Sequence, residues 1–203
     1  MSIKKPNKIY FIGGVNGVGK SSFLQALLLK HQGFEVLWGS RKFMEWLGLQ
    51  PNDYDALRNL PDDYKDKELD KMMKKLLKEK VSNGRTLIID GHYLNCKRGE
   101  VVDSTGNWIS FFDALFVISA SPKTILRRVE EDESKNNHKR KLLPADFTKE
   151  QKLELLDNFI RMTTDKAREI SEKYQMPYFI IDNNKDGFGD IIEEFLKYDS
   201  VIS

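Results

Sequence analysis

The octapeptide Gly14-Val15-Asn16-Gly17-Val18-Gly19-Lys20-Ser21 matches G-x-x-x-x-G-K-[ST] at every constrained position. Such a string constrains the fold because a buried strand must deliver the chain to the loop and a helix must receive it. Both flanks are present. Ile9–Ile12 closes a short β-favouring run, and residues 21–29 are rich in helix formers with apolar side chains on more than one face. The glycines let successive backbone N–H groups turn inward, and the helix adds the positive end of its dipole. A nest of this kind suits a polyphosphate, so Gly14, Asn16, Gly17, Val18, Gly19, Lys20, Ser21 and Ser22 are expected around ATP. Lys20 would set its ammonium against the outer phosphates, and the Ser21 hydroxyl would join the shell of a Mg2+ ion. The plainer alternative is a Gly-rich strand-to-helix turn.

Short apolar runs alternate with longer amphipathic stretches, as a parallel sheet flanked by helices requires. Expected strands are Ile9–Ile12, Phe34–Trp38, Thr86–Asp90, Ala114–Ser119 and Tyr178–Asp182. They make a five-stranded α/β core, a three-layer αβα sandwich of P-loop NTPase type. Residues 40–83 are too long for a simple crossover and read as several helices broken near Pro51 and Pro61, a helical insertion suited to an acceptor. Residues 130–149 are highly polar and read as a lid or as a charged loop, before Thr148 opens a long helix with Gln151 in capping-box position.

At 203 residues the chain holds one domain with a full core. With 33 Lys+Arg against 31 Asp+Glu it has no basic field that calls for nucleic acid, so any electropositive site is local. A single cysteine, Cys96, excludes an internal disulfide and a cysteine-based metal cluster. No run approaches the roughly 18 apolar residues of a membrane span, and the N-terminus shows no secretory pattern. A cytoplasmic, membrane-free protein with a small-molecule partner is the expectation; the composition leaves its oligomeric state open.

Asp90 closes an apolar strand, where parallel sheets present groups to ligands and where an acidic residue orients magnesium; the alternative is a strand-end cap. His92, two residues on, is a candidate for the acceptor or a structural hydrogen-bonder. Arg127, Arg128 and Arg161 are candidate cations for neutralising phosphate charge, or a solvated basic face. Gly39, Ser40 and Arg58 are candidates for holding an acceptor, its base against the small residues and its phosphate on the arginine.

Together these segments resemble the archaeal-type adenylate kinases among the nucleoside monophosphate kinases. The resemblance runs from Lys8 to about Leu196. It rests on the phosphate loop, on Trp38-Gly39-Ser40 and Asp53–Leu60 where that family holds the monophosphate, and on Ile88-Ile89-Asp90-Gly91-His92. It extends to residues 121–128 as the helix entering the lid, to Arg161 on the returning helix, and to residues 181–187 beside the donor adenine. It implies Mg2+-dependent transfer of the γ-phosphoryl of ATP to a nucleoside monophosphate, AMP first. Lys20, Asp90, Arg128 and Arg161 would be catalytic, and Arg127 and Arg128 would contact the donor. Gly39, Ser40, Arg58 and His92 would bind the acceptor.

Two other readings stay open. The same donor half would serve a kinase for another small hydroxylated metabolite or nucleoside, with Asp90 as base. A nucleotide switch would use Asp103-Ser-Thr-Gly106 and Asn184-Lys185-Asp186, but the first has no convincing strand before it and the second departs from the N-K-x-D spacing.

Overall fold

The structure is a computed structural model and describes residues 8–51, 53–79, 84–97, 100–136, 143–185 and 187–202. Its strands are β1 (Ile9–Gly13), β2 (Phe34–Trp38), β3 (Thr86–Asp90), β4 (Leu94–Lys97), β5 (Glu100–Asp103), β6 (Ala114–Ser119) and β7 (Tyr178–Asp182). The expected five make one parallel sheet in the order β2-β3-β1-β6-β7. Four of the five have the anticipated bounds, and β1 runs one residue further, to Gly13.

The helices are α1 (Lys20–Lys30), α2 (Gly39–Trp46), α3 (Tyr54–Asn59), α4 (Asp62–Glu79), α5 (Pro122–Asn136), α6 (Lys149–Tyr174) and α7 (Gly189–Val201). They cover both faces of the sheet, because strands buried on two sides must pack against helices on each. The pleat of β1 divides the core. Tyr10 and Ile12 join Phe23, Leu27, Phe116 and Phe195 of one buried cluster, while Phe11 joins Met72, Met73, Tyr93, Trp108 and Ala167 of the other.

The chain between β2 and β3 folds as α2, α3 and α4, with Pro51 and Pro61 in the breaks. Asp53 starts α3 by accepting from the Ala56 amide at 2.9 Å. Thr148 and Gln151 form the expected capping box at the start of α6: the Gln151 amide donates to the Thr148 hydroxyl at 3.3 Å and the Thr148 amide to the Gln151 side chain at 2.8 Å. Within the 130–149 stretch α5 continues to Asn136, and residues 137–142 lie outside the described residues, as do the N-terminal residues 1–7 and Asp186.

Strands β4 and β5 were not anticipated, and they form a separate antiparallel hairpin after β3. A strand therefore does end at Asp103, contrary to the sequence reading, but it stands off the central sheet. Among the described residues no helix is long and apolar enough to cross a membrane.

Candidate active site

β1 ends in the middle of the sheet with β3 on one side and β6 on the other. The loop leaving it opens into the crevice where the strand order reverses, the place at which open α/β sheets receive ligands. Gly17 and Gly19 take φ of 86° and 89°, left-handed values that disfavour a side chain, and they wind the loop back over β1. Gly19 caps α1 without a side-chain hydrogen bond, so the first-turn amides remain available to an anion. Val18 is buried, whereas Asn16, Ser21 and Ser22 are exposed.

Lys20 is only 7% exposed and its ammonium pairs with the Asp90 carboxylate at the end of β3. Such a pair returns little stability once the desolvation of both charges is counted. What it does is hold a cation and a carboxylate side by side at the mouth of an anion-binding loop.

The chain after Asp90 runs along the start of that loop. The Gly91 amide donates to the Ile12 carbonyl at 3.0 Å, and His92 Nδ1 lies 3.1 Å from the Gly14 carbonyl. A carbonyl only accepts, so Nδ1 carries the proton and Nε2 keeps its lone pair. Burial, with the Lys20 charge second, pushes the His92 pKa down to about 4 against the opposing pull of the Gly14 bond, leaving the ring neutral at pH 7. Tyr93 is buried beneath, its hydroxyl donating to the Phe116 carbonyl at 3.1 Å.

Arg128 reaches the loop: Nη1 donates to the Val18 carbonyl at 3.1 Å, and Nη2 makes a longer contact of 3.5 Å with the Lys185 carbonyl. Gly39 meets the same corner, since a Cβ on it would lie 2.4 Å from the Asp90 carbonyl oxygen; the first turn of α2, with the exposed Ser40, thus packs on the end of β3. The other three candidate arginines each have a partner on their own helix. Arg127 pairs with Glu131 at 2.9 Å, Arg161 bonds Asn158 at 2.8 Å, and the exposed Arg58 pairs with Asp55 at 2.6 Å. Lys20, Asp90, His92, Arg128 and Gly39 therefore converge at the ends of β1 and β3, while Arg58 and Arg161 bond within α3 and α6.

Among the described residues no group of three or more His, Cys, Asp or Glu is placed to hold a metal by itself. One carboxylate and one exposed serine hydroxyl fit an ion that brings most of its ligands as phosphate oxygens and water, which is how Mg2+ binds with nucleotides.

The family model described as an AAA domain matches residues 13–143, from the phosphate loop through the whole of α5. The chain belongs to this AAA domain family. No curated protein sequence matches it significantly. Among solved structures it is similar to shikimate kinase from Acinetobacter baumannii, determined in complex with shikimate, at 15% identity and a TM-score of 0.62, covering 97% of this chain and 94% of that one. It is likewise similar to shikimate kinase from Bacteroides thetaiotaomicron, at 12% identity and a TM-score of 0.61, covering 96% and 99%. This AAA domain thus has the P-loop kinase fold.

Two residues just after β7, beyond the stretch that the family model matches, make contacts that the sequence did not assign to them. Asn183, 2% exposed, donates its amide to the Val18 carbonyl at 2.7 Å. Asn184 accepts from the Ser121 amide at 2.7 Å and the Thr124 hydroxyl at 3.1 Å, fixing the start of α5. The available signal was their position directly after a strand, where polar residues face the ligand end of the sheet. Beside them a hollow of about 140 Å³, lined by Asp182, Lys185, Asp190 and Glu194 among others, opens between β7 and α7.

Proposed function

We propose that the protein is an ATP- and Mg2+-dependent phosphotransferase whose acceptor is a nucleoside monophosphate, AMP first. The observation that carries the phosphotransferase half of this reading is the buried Lys20–Asp90 pair at the mouth of the phosphate loop; the AMP acceptor rests on the resemblance to adenylate kinases. Phosphoryl transfer asks a protein for positioning and for charge opposite developing phosphate charge, and little covalent work. Lys20 and the loop amides supply the donor side of that requirement. Ser21 and Asp90 are the residues that would hold magnesium, which when bound neutralises phosphate charge. With Asp90 so engaged, Lys20 would be available to a phosphate oxygen, and each charge would keep a partner.

Acceptor recognition is assigned to the ends of β2 and β3 and to the helical insertion. Gly39 lets the first turn of α2 pack against the Asp90 carbonyl, Gly39 and the exposed Ser40 are assigned to the base, and Arg58 on α3 is the cation for the acceptor phosphate once it leaves Asp55. His92 offers a neutral Nε2 acceptor on the same side. Arg127, Arg128 and Arg161 are assigned to the transferring phosphate, and residues 130–149 to the lid that excludes water.

A second reading is favoured by the likeness to shikimate kinases over nearly the whole of both chains. There the acceptor is a small hydroxylated metabolite and Asp90 takes the hydroxyl proton. ADP formation is measured with MgATP against nucleoside monophosphates, nucleosides and hydroxylated metabolites, with an acceptor-free blank. AMP-dependent turnover well above the blank is expected. Turnover with a non-nucleotide alone would move the assignment to the second reading, and hydrolysis indifferent to any acceptor would discard both.

A further inference from the structure

A loop that turns its amides toward an anion must turn its carbonyls away, into protein, where each needs a donor. The Val18–Gly19 peptide is the sharpest case. Val18 is 1% exposed, so its carbonyl cannot rely on water. The carbonyl is met from behind by two donors, Asn183 Nδ2 at 2.7 Å and Arg128 Nη1 at 3.1 Å, one for each lone pair. In a trans peptide the C=O and the N–H point in opposite directions. Holding the Val18 oxygen outward therefore aims the Gly19 N–H inward.

Asn183 is itself held rigidly. It is 2% exposed, its backbone amide donates to the Ser119 carbonyl at the end of β6 at 2.7 Å, and a Cβ on Gly19 would lie 2.6 Å from its amide nitrogen. The side chain thus fills the space behind the second half of the loop. Glycine at position 19, with φ at 89°, tolerates a reversal of that peptide at little steric cost, so the loop's own sequence does not fix which way the N–H points.

We propose that Asn183 is a positioning residue for the donor nucleotide: it clamps the Val18 carbonyl and so presents the Gly19 amide to the phosphates, with Arg128 as the second clamp. The proposal rests on the nucleotide-binding half of the function given above and is independent of the acceptor. Losing the clamp lets the Gly19 peptide rotate, and the site loses an inward amide while the acceptor side is untouched.

The test is calorimetric binding of MgADP and MgATP to the full chain, with Asn183→Ala, Asn183→Ser and Asn184→Ala compared with wild type. Alanine removes the donor, and a serine hydroxyl is too short to reach the Val18 oxygen. Asn184→Ala loses more side-chain bonds, to Ser121, Thr124 and Asp182, but these lie at the start of α5 and the end of β7 rather than on the loop. About ten-fold weaker nucleotide binding is expected for both Asn183 variants, with acceptor KM within two-fold of wild type, and near-normal nucleotide affinity for Asn184→Ala. Apo thermal unfolding identifies any variant that fails to fold; should Asn183→Ala fail, Asn183→Ser gives the decision. Wild-type affinity in the Asn183 variants, or the same loss in Asn184→Ala, would overturn the positioning role. If the wild type binds nucleotide but transfers nothing to AMP, only the acceptor assignment falls. If it binds no nucleotide, both claims fall.

Discussion

At the scale of single residues, the Lys20–Asp90 pair makes predictions in which stability and activity move differently. Replacing one partner of a buried pair leaves an uncompensated charge and costs about 3–5 kcal/mol, whereas replacing both by apolar groups of similar size is close to neutral. Lys20→Met should therefore lower the denaturation midpoint and abolish transfer, and Lys20→Met with Asp90→Leu should recover most of the stability but none of the activity; urea unfolding beside the ADP assay checks both. Stability unrecovered in the double variant would show that the two charges are not a coupled unit. Arg161 is exposed and bonded within its own helix, so it contributes nothing to the resting loop. Arg161→Ala is expected to reduce kcat by about 100-fold, the scale of losing one charge-stabilising donor, while leaving ATP affinity within two-fold. Equal losses in kcat and affinity would remove it from the transfer step.

At the scale of elements, the hairpin is where the sequence was silent. Leu94–Lys97 and Glu100–Asp103 are four residues each and carry charged or amide side chains between few apolar ones, too short for alternation to stand out from loop. What fixes the hairpin lies far away in the chain: Lys166 on α6 meets Asp103 at 2.8 Å, and the Ser104 amide returns to the Tyr93 carbonyl at 3.0 Å. Burial alone would raise the Asp103 carboxyl, but hydrogen bonds from Lys166 and Thr105 outweigh it and hold the group below its usual range. Its stabilising contribution is thus present above the ordinary carboxylate range and fades as pH falls through the depressed value. With Asp103 partly exposed, Asp103→Asn should cost up to about 1 kcal/mol at pH 7 and less near pH 3, measured by denaturant unfolding at both. A cost that grows on acidification would contradict the clasp. By contrast, α6 was legible at its start, because a Thr148–Gln151 box is a local device that three intervening peptides suffice to build. Arg128 and Asn183 show the limit: the first was legible as a helix cation for phosphate and the second as a polar residue after a strand, but their meeting on one carbonyl depends on contacts with Val18 across 110 and 165 positions of sequence.

At the scale of the whole molecule, the apolar runs were enough to read all five sheet strands, since parallel strands covered on both faces are nearly all apolar and even the edge strands β2 and β7 carry only Glu35 and Asp182 as charged residues. Their spatial order was not, because it is set by which helix covers which face. One side chain ties that arrangement together. Phe195 of α7 is fully buried and lies 4.9–6.2 Å, centroid to centroid, from the rings of Tyr10, Phe23, Phe34 and Phe116. These rings come from β1, α1, β2 and β6. Phe195→Ala should cost about 3–5 kcal/mol, read as a lower unfolding midpoint; a loss under about 1 kcal/mol would mean α7 is not part of the cooperative core. The same architecture brings the ends of β1, β3 and β7 and the first turn of α1 to one edge, and the central claim is that this edge moves a phosphoryl group. The most direct measurement follows the label of γ-³²P-ATP, with Mg2+ and AMP, in wild type and in the Lys20→Met variant. Label is expected in the β-phosphate of ADP, formed only with AMP present and only by wild type. Label released as inorganic phosphate at the same rate with and without AMP would contradict it.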